Sequence, residues 1–363
     1  MTPAALDGFA FAFGAPAVEA GFKRVPADFQ VSEELGFALT GEGEHLCLHL
    51  RKTGVNTQDV VRLLAQRAGI REFDVGYCGL KDRQGVCKQW FSLYQPVPVA
   101  LDLTDFPARG IEVLAQTRNA RKLRRGSHRV NRFRLRLRDL AWHAEVPAGS
   151  APGVGSALQD WLSARLEHVA GRGVPNYFGE QRFGREQDNV AQAQRLFSGE
   201  LRLPRGHRRG LLLSAARSQL FNAVLSRRIE QQCWDSRLEG DVWNLQGSDT
   251  VFSEVDWTSQ LQARLEAFDI HPTGPLWGAG ELRSSAAARG LEESVCAQWP
   301  ALCEGLAQAG LSQQRRALRL LVQGMRWEFV DSAELIIEFA LPPGAYATAV
   351  LREVCFLKEA AKE

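Results

Sequence analysis

Two kinds of hydrophobic periodicity divide this 363-residue chain into three blocks, and their order restricts the folds available to it. Apolar and polar side chains alternate within residues 22–50 and again from Trp327 to Leu341. Such alternation is typical of half-buried β-strands. From residue 186 to about 323 the apolar positions instead recur at helical spacing. The chain is therefore predicted to have an α+β fold, with a helical block inserted between two β-rich blocks.

The length favours two domains, because a single core of ordinary size does not extend over 363 residues. We predict that residues 1–172 and 325–363 form one discontinuous domain and that residues 173–324 form the insertion. Periodicity within the insertion predicts helices at about 188–197, 214–232, 258–268 and, with breaks, 283–323. The Gly- and Pro-rich stretch from His271 to Gly280 is predicted to be an irregular loop.

The amino-terminal block has clear strand and helix signals. Alternating apolar side chains predict two of its strands, at Phe29 and Val31 and at Leu46, Leu48 and Leu50. Asn56 is a typical helix N-cap, and Gly69 is a typical helix stop. A helix is therefore expected between them.

Composition narrows the class of protein. No apolar run approaches the length that spans a bilayer, and residues 1–13 lack a signal-peptide pattern. The seven cysteines are odd in number and contain no Cys-x-x-Cys pair, which argues against a disulfide framework or a zinc site. We expect a cytoplasmic protein without a membrane partner.

Positive charge is concentrated in one part of the chain. Residues 51–138 hold 19 Lys and Arg but only 7 Asp and Glu, a local net charge of +12, so the remainder carries −10. From Arg118 to Arg138 there are ten Lys and Arg and no acidic residue. Within this stretch Phe133, Leu135 and Leu137 alternate with arginines, which predicts a strand with one cationic face. Unrelieved like charges repel, so we expect this face to bind a polyanion rather than merely to aid solubility.

One carboxylate lies between two cations at a strand end. The segment from Gly76 to Phe91 has two β-prone runs separated by Lys81, Asp82 and Arg83. Cations beside a carboxylate keep it ionised, and strand-end loops commonly present functional groups. Taken alone, these residues fit a solvated surface turn better than a functional site.

A turn-rich segment from Gly173 to Gly184 combines aromatic rings with Arg182. Aromatic rings and guanidinium groups on a loop suit stacking on nucleobases. The same residues also suit the packing of a domain joint, and both interpretations stand at this point.

Several common chemistries lack their motifs. The sequence shows no phosphate-binding or dinucleotide-binding loop, no nucleophile elbow, and no credible Cys–His pair or metal cluster. A polyanion-binding chain of this kind is either an RNA-binding module or an enzyme that acts on a base or sugar through one carboxylate.

The chain resembles the TruD family of tRNA pseudouridine synthases. The two most specific matching stretches are Gly76 to Phe91 and Val174 to Gly184. Further matches follow in order along the chain: Lys23, Pro26 to Phe29, Gly41 to Leu46, Lys52 to Thr57, Asn131 to Phe133, Ser214 to Ser218, Phe221, Asn222 and Leu341 to Thr348. The resemblance implies a mixed-sheet pseudouridine synthase catalytic domain with a mainly helical, family-specific insertion domain.

The resemblance also implies an activity and a site. It implies isomerisation of uridine 13 of tRNA to pseudouridine, with Asp82 as the catalytic aspartate, Phe133 stacked on the uracil, and Asn131 and Lys23 lining the pocket. It implies no cofactor and no metal, and we expect a monomer with tRNA as its partner. The side chains expected to contact RNA are Arg121, Lys122, Arg124, Arg125, Arg129, Arg132, Tyr177, Phe178 and Arg182. Two alternatives remain, a pseudouridine synthase with another RNA target and a catalytically silent RNA-binding protein.

The match has local departures. Gln84 and Gly85 stand where the family often has His and Ala, while Cys87 replaces a common Thr and Cys78 a usual Ala. No role for a histidine after the aspartate is therefore carried over.

Overall fold

A computed structural model of the protein describes residues 8–143, 156–184, 187–254 and 256–359, and these residues form two compact units. The sheet unit consists of the described residues of Pro16–Leu166, Val322–Ala347 and those from Val354 onward. The helical unit consists of the described residues up to Ala15, Glu167–Leu321 and Thr348–Glu353. The predicted division at residues 172 and 325 is close to this one. It differs because a segment near each end of the chain belongs to the helical unit.

The sheet unit contains a ten-stranded sheet. Its strands are β1 (Val18–Phe22), β2 (Phe29–Leu35), β3 (His45–Thr53), β4 (Val75–Tyr77), β5 (Val86–Tyr94), β6 (Ile111–Asn119), β7 (His128–Trp142), β14 (Gln323–Phe329), β15 (Leu335–Leu341) and β16 (Phe356–Glu359). The main path runs β14-β15-β7-β2-β5-β3-β6, with β4 paired to β5 and β1 paired to both β7 and β16. The β2–β5 and β1–β16 pairs are parallel and the others are antiparallel. The predicted α+β fold with a mixed sheet is confirmed.

Helix α1 (Thr57–Ala68) covers part of this sheet and forms a core with it. Its Val60, Val61 and Leu64 are fully buried in one cluster with Leu48 and Phe91 of the strands. Asn56 occupies the N-cap position and Gly69 ends the helix with a left-handed φ of 62°. The predicted helix is confirmed: its apolar face is buried, and it begins after Asn56 and ends at Gly69 as the sequence indicates.

Carboxylates balance the arginine face of β7, which corrects the prediction of unrelieved like charge. Arg134 pairs with Glu338 at 2.9 Å, opposite it on β15. The other pairs link Arg129 and Arg132 to Glu34, Arg136 to Glu334, and Arg138 to Asp28 and Glu334. These carboxylates belong to segments that are distant from β7 in the sequence and lie on either side of it. The arginine face therefore carries less net positive charge than its sequence suggests, which weakens the prediction that it binds a polyanion.

The helical unit combines helices with small sheets. Helix α2 (Ser156–Arg172) leads into it, and its other helices are α3 (Asn189–Phe197), α4 (His207–Glu230), α5 (Ser259–Glu266), α6 (Ala286–Cys296), α7 (Pro300–Gln308) and most of α8 (Ala347–Arg352). A four-stranded sheet runs in the order β10 (Val251–Ser253), β9 (Val242–Leu245), β11 (Ile270–Leu276), β12 (Gln314–Ala317). A short pair joins β8 (Val174–Pro175) to β13 (Arg319–Leu320). Among the described residues, no helix has both the length and the apolar character needed to cross a membrane.

Two local predictions in this unit are wrong. The stretch from His271 was predicted to be a loop, but β11 runs from Ile270 to Leu276 with only its last residue less than fully buried. A strand buried on both faces shows no alternation, and its prolines and glycine suggest a loop. The helical pattern predicted to reach residue 323 ends with α7, and β12 and β13 follow it.

Candidate active site

Asp82 lies in the loop between β4 and β5, and the side chains of Lys52, Thr57 and Gln89 hold the backbone of this loop. The buried Lys52 Nζ donates to the carbonyl oxygens of Asp82 at 2.8 Å and Val55 at 2.7 Å. The Lys81 backbone N–H donates to the Thr57 hydroxyl at 3.0 Å, and Gln89 Nε2 donates to the Gly79 carbonyl at 2.5 Å. A loop held at this many points presents its side chains in a fixed geometry, as a catalytic site requires.

The structure brings Lys23 and Asp82 together. Lys23 Nζ donates to Asp82 Oδ2 at 2.5 Å, while the Gln84 backbone N–H donates to Oδ1 at 2.9 Å. The Asp82 side chain is 19% exposed and that of Lys23 is 7% exposed. Lys23 has a φ of 54°, a left-handed conformation that is uncommon and strained for a residue with a side chain. The backbone turn between β1 and β2 thus directs the ammonium group to the carboxylate.

The environment of Asp82 favours its ionised form. Burial alone would raise its pKa, because desolvation disfavours charge. The charge and hydrogen bond of Lys23, the Gln84 N–H and the charge of Lys52 outweigh burial, and the pKa of Asp82 falls below its ordinary value. At neutral pH the site therefore holds a partly desolvated, negatively charged carboxylate.

Replacing Lys23 with methionine is expected to move the acidic limb of the pH profile of kcat/KM to higher pH. Without Lys23, burial still raises the pKa of Asp82, but the charge and hydrogen bond of the lysine no longer lower it. Activity that needs the carboxylate ionised is then lost at a higher pH as the solution is acidified. Lys23→Arg, which keeps a cation, is the matched control and should retain the limb near its original position. A Lys23→Met profile that is merely scaled down at every pH would contradict the electrostatic role.

Beside Asp82 lies a buried group of polar side chains. Lys81 Nζ pairs with Glu33 Oε2 at 2.7 Å, and both side chains are almost completely buried. Asn131, which faces Glu33 across the β2–β7 pair, contacts His128 Nε2 through its amide nitrogen at 3.0 Å. Burial and the nearby Lys81 lower the pKa of His128 to about 4, so this imidazole is neutral at physiological pH.

The Asn131 amide oxygen is buried and has no hydrogen-bond partner among the described residues. A buried acceptor of this kind is costly unless a partner satisfies it. Asn131, predicted to line the pocket, thus presents an acceptor near the start of β7.

Phe133 lies in an aromatic cluster that reaches Lys23. Its ring stacks on Phe339 at 5.4 Å between centroids and meets Phe29 edge-on at 6.1 Å. The Lys23 ammonium group lies 4.2 Å from the Phe29 centroid, so Phe29 connects Phe133 to the Asp82 pair. Phe133 is 8% exposed. One of its faces is covered by Phe339.

Three side chains that organise the site, Lys52, Glu33 and His128, were not predicted from the sequence. For two of them a signal was present. Lys52 continues the inward-facing series of alternate residues that includes Leu48 and Leu50, and Glu33 continues that of Phe29 and Val31. A charged residue at an inward strand position needs a buried partner, which marks it as structural or functional. His128 gave no comparable signal.

The predicted RNA-contacting cations of the sheet unit lie in two settings. Arg121, Lys122, Arg124 and Arg125 belong to the segment that joins β6 to β7, where all but the half-buried Lys122 are exposed. Arg129 and Arg132 are about 60% exposed on β7 and share Glu34 as their partner. The joining segment therefore has the greater excess of positive charge.

The predictions for Tyr177 and Phe178 are corrected by their burial in the helical unit. Tyr177 is fully buried, and its hydroxyl donates to the Ala10 carbonyl at 3.0 Å. Phe178 is 8% exposed and packs edge-on against Phe221. Both rings therefore take part in packing within the helical unit. Arg182 lies over the Phe178 ring at 5.4 Å and donates to the Ser214 hydroxyl at 2.9 Å.

The donor set around Asp82 does not resemble a metal site. Within the described parts of the chain, no three His, Cys, Asp or Glu side chains are arranged to hold a metal ion. The groups nearest to Asp82 are ammonium groups and backbone N–H groups, which stabilise an anion and repel a cation.

Comparison with known proteins identifies the family of this chain. A family model described as tRNA pseudouridine synthase D (TruD) matches residues 6–195 and 193–354. A "tRNA pseudouridine synthase D" of Xanthomonas campestris pv. campestris (strain 8004) is 46% identical over 97% of this chain and 95% of its own length. One from Hydrogenovibrio crunogenus is 42% identical over 98% of each chain.

A solved structure shows the same fold. It is of a Methanosarcina mazei protein provisionally described as tRNA pseudouridine synthase D, and it matches with a TM-score of 0.70 over 95% of each chain. Its sequence identity of 19% supports the fold alone. The family match and the curated relatives extend over nearly the whole sequence, and the residues around Asp82 lie within that match. The chain belongs to the TruD family of tRNA pseudouridine synthases.

Proposed function

We propose that this protein isomerises uridine 13 of tRNA to pseudouridine and that Asp82 is its single catalytic carboxylate. The observation that carries the proposal is the contact of 2.5 Å between Lys23 and Asp82 in a partly desolvated site. It supplies an ionised carboxylate with a low pKa and a neighbouring cation. The family match supports tRNA as the substrate.

The reaction balances without any other reactant. The N1–C1′ glycosidic bond breaks, the uracil rotates, a C5–C1′ bond forms, C5 loses a proton and N1 gains one. Asp82 can begin this sequence as a nucleophile toward C1′ or as a base toward the ribose, and its ionised form serves both roles. Lys23 offsets the negative charge that develops on the detached uracil. The target base must first leave its stack to reach Asp82.

In this proposal Phe133 and Asn131 hold the uracil while it turns. An aromatic face binds a base through stacking without fixing its rotation about the stacking axis. The unpartnered Asn131 amide oxygen offers an acceptor for a uracil N–H group. The two side chains lie two residues apart on β7 and both point inward.

Phe133→Leu is expected to lower kcat/KM by about ten- to a hundredfold, because it removes the stacking face. Phe339→Leu is the matched control, since it truncates the other ring of the same stacked pair. Both variants should lose similar thermal stability, but only Phe133→Leu should show the large loss of activity. Equal losses of activity would indicate that Phe133 acts through packing alone.

The function is tested by mapping pseudouridine in tRNA treated with the purified protein. Carbodiimide labelling should find a new pseudouridine at position 13 and none in a tRNA that carries cytidine there. Pseudouridine at other positions only would overturn the choice of uridine 13 and indicate a different RNA target. Binding of tRNA without any pseudouridine would overturn the enzymatic proposal in favour of a silent RNA-binding protein.

The proposal retains a cytoplasmic location and a monomeric enzyme. All seven cysteines are free thiols in the structure, which suits a reducing compartment.

A further inference from the structure

A cavity of about 590 Å³ lies in the sheet unit, close to the Asp82 loop along the chain. Its walls come from the first turns of α1, from residues 72–77 at β4, and from residues 122–125 of the segment that joins β6 to β7. Tyr77 is five residues before Asp82, and the Gly126 N–H donates to the Cys78 carbonyl at 2.7 Å. The cavity is therefore tied to the same loop that carries Asp82.

Aromatic rings and cations line much of this cavity. Phe73 is 79% exposed, the highest fraction among the large exposed hydrophobic side chains of the described residues. The Lys122 ammonium group lies 4.4 Å from its centroid and also donates to its carbonyl oxygen. The Arg125 guanidinium lies 5.3 Å from the Tyr77 ring centroid and donates to the Tyr77 hydroxyl at 2.6 Å.

Charge in the cavity is predominantly positive. Lys122, Arg124 and Arg125 contribute three cations to its walls and Glu72 one carboxylate. Glu72 accepts a hydrogen bond from Gln58 at 3.3 Å. Arg124 is exposed, so its guanidinium is accessible to a phosphate. An exposed ring beside accessible cations matches the two parts of a nucleotide, a base with an aromatic face and an anionic phosphate.

We propose that this cavity binds a nucleotide of the tRNA other than the target uridine, with its base stacked on Phe73 and its phosphate at Arg124 and Arg125. The proposal rests on the proposed function, because it identifies how the same enzyme holds its substrate. The volume lies within the range of pockets that enclose small organic ligands and is sufficient for one nucleotide. An unstacked base held here would fix the tRNA relative to Asp82 while the target uridine enters the site.

Phe73→Ala is expected to raise KM for tRNA by about tenfold and to leave kcat within about twofold, since stacking on Phe73 contributes to binding and not to the chemical step. Phe73→Tyr should restore KM to near the wild-type value. Arg124→Ala should reduce the slope of log affinity against log salt by about one. Phe37→Ala is the matched control, because Phe37 is 44% exposed in the same unit and does not line the cavity.

The outcomes separate this inference from the proposed function. If wild type forms pseudouridine but Phe73→Ala leaves KM unchanged, or Phe37→Ala raises it equally, the cavity is not a nucleotide site. If wild type forms no pseudouridine, the proposed function fails. In that case the binding affinity of Phe73→Ala for tRNA, measured by filter retention, still tests the cavity. Phe73 is exposed, so the thermal stability of its variants should match that of wild type.

Discussion

Asp82→Asn is expected to lower the rate of pseudouridine formation by at least about 10³- to 10⁴-fold, with tRNA affinity changed by less than about threefold. Asparagine has the size of aspartate, but its single amide oxygen can accept only one of the two donors, the Gln84 N–H or the Lys23 ammonium group, that the two carboxylate oxygens of Asp82 accept. It lacks the negative charge, so it serves neither as a nucleophile toward C1′ nor as a base toward the ribose. The predicted variant therefore binds but does not react.

Single-turnover assays with tRNA and filter-binding titrations measure the two quantities separately. Asp102→Asn is the matched control, because Asp102 is a 67% exposed carboxylate of the same unit. It should leave both the rate and the affinity unchanged. A residual rate in Asp82→Asn within about tenfold of wild type would show that the carboxylate assignment is wrong.

The Asp82 site shows which features a sequence reveals. The strand alternation placed Phe133 on the inward face of β7, where it is buried, whereas Asn131 was suggested only by the family resemblance. Lys23 and Asp82 are 59 residues apart, and only the family resemblance suggested their contact. Local periodicity predicts which residues share one face of a strand. The contact between Lys23 and Asp82 depends instead on the left-handed turn at Lys23 and on the pairing of β2 with β5.

The surface charge pattern shows what a sequence does not reveal. The arginines of β7 alternate in an obvious way, but Glu338 and Glu334 meet them from more than 190 residues away. Strand pairing over such distances is set by the whole fold, so the partners of an exposed charge do not follow from the charge itself. Tyr177 illustrates the same point for an aromatic ring. The composition of its segment suggested RNA binding, but tertiary packing buries the ring beside Ala10.

Lys81→Met is expected to destabilise the sheet unit by about 3–5 kcal/mol, the largest effect on stability that we predict. The Glu33 carboxylate is fully buried, and when Lys81 is removed it keeps the uncharged Trp90 N–H at 3.2 Å and the Cys78 thiol as partners but loses its counter-ion. A buried charge without its counter-ion costs far more than the loss of an exposed pair. Amide hydrogen exchange of β2 and β5 measures the loss, because both strands contact the pair.

The double variant Glu33→Gln with Lys81→Met distinguishes an unpaired charge from lost packing. Replacing both members of a buried ion pair by uncharged groups is often nearly neutral, so most of the stability should return. Arg62→Met is the exposed control: its pair with Asp59 at 3.0 Å is 61% and 47% exposed, and its removal should cost at most about 1 kcal/mol. If the double variant is as unstable as Lys81→Met, the shape of the lysine and not its charge supports the loop. Restored stability without restored activity would instead show that the ion pair positions Asp82, because Lys81 precedes Asp82 directly and lies in the same held loop.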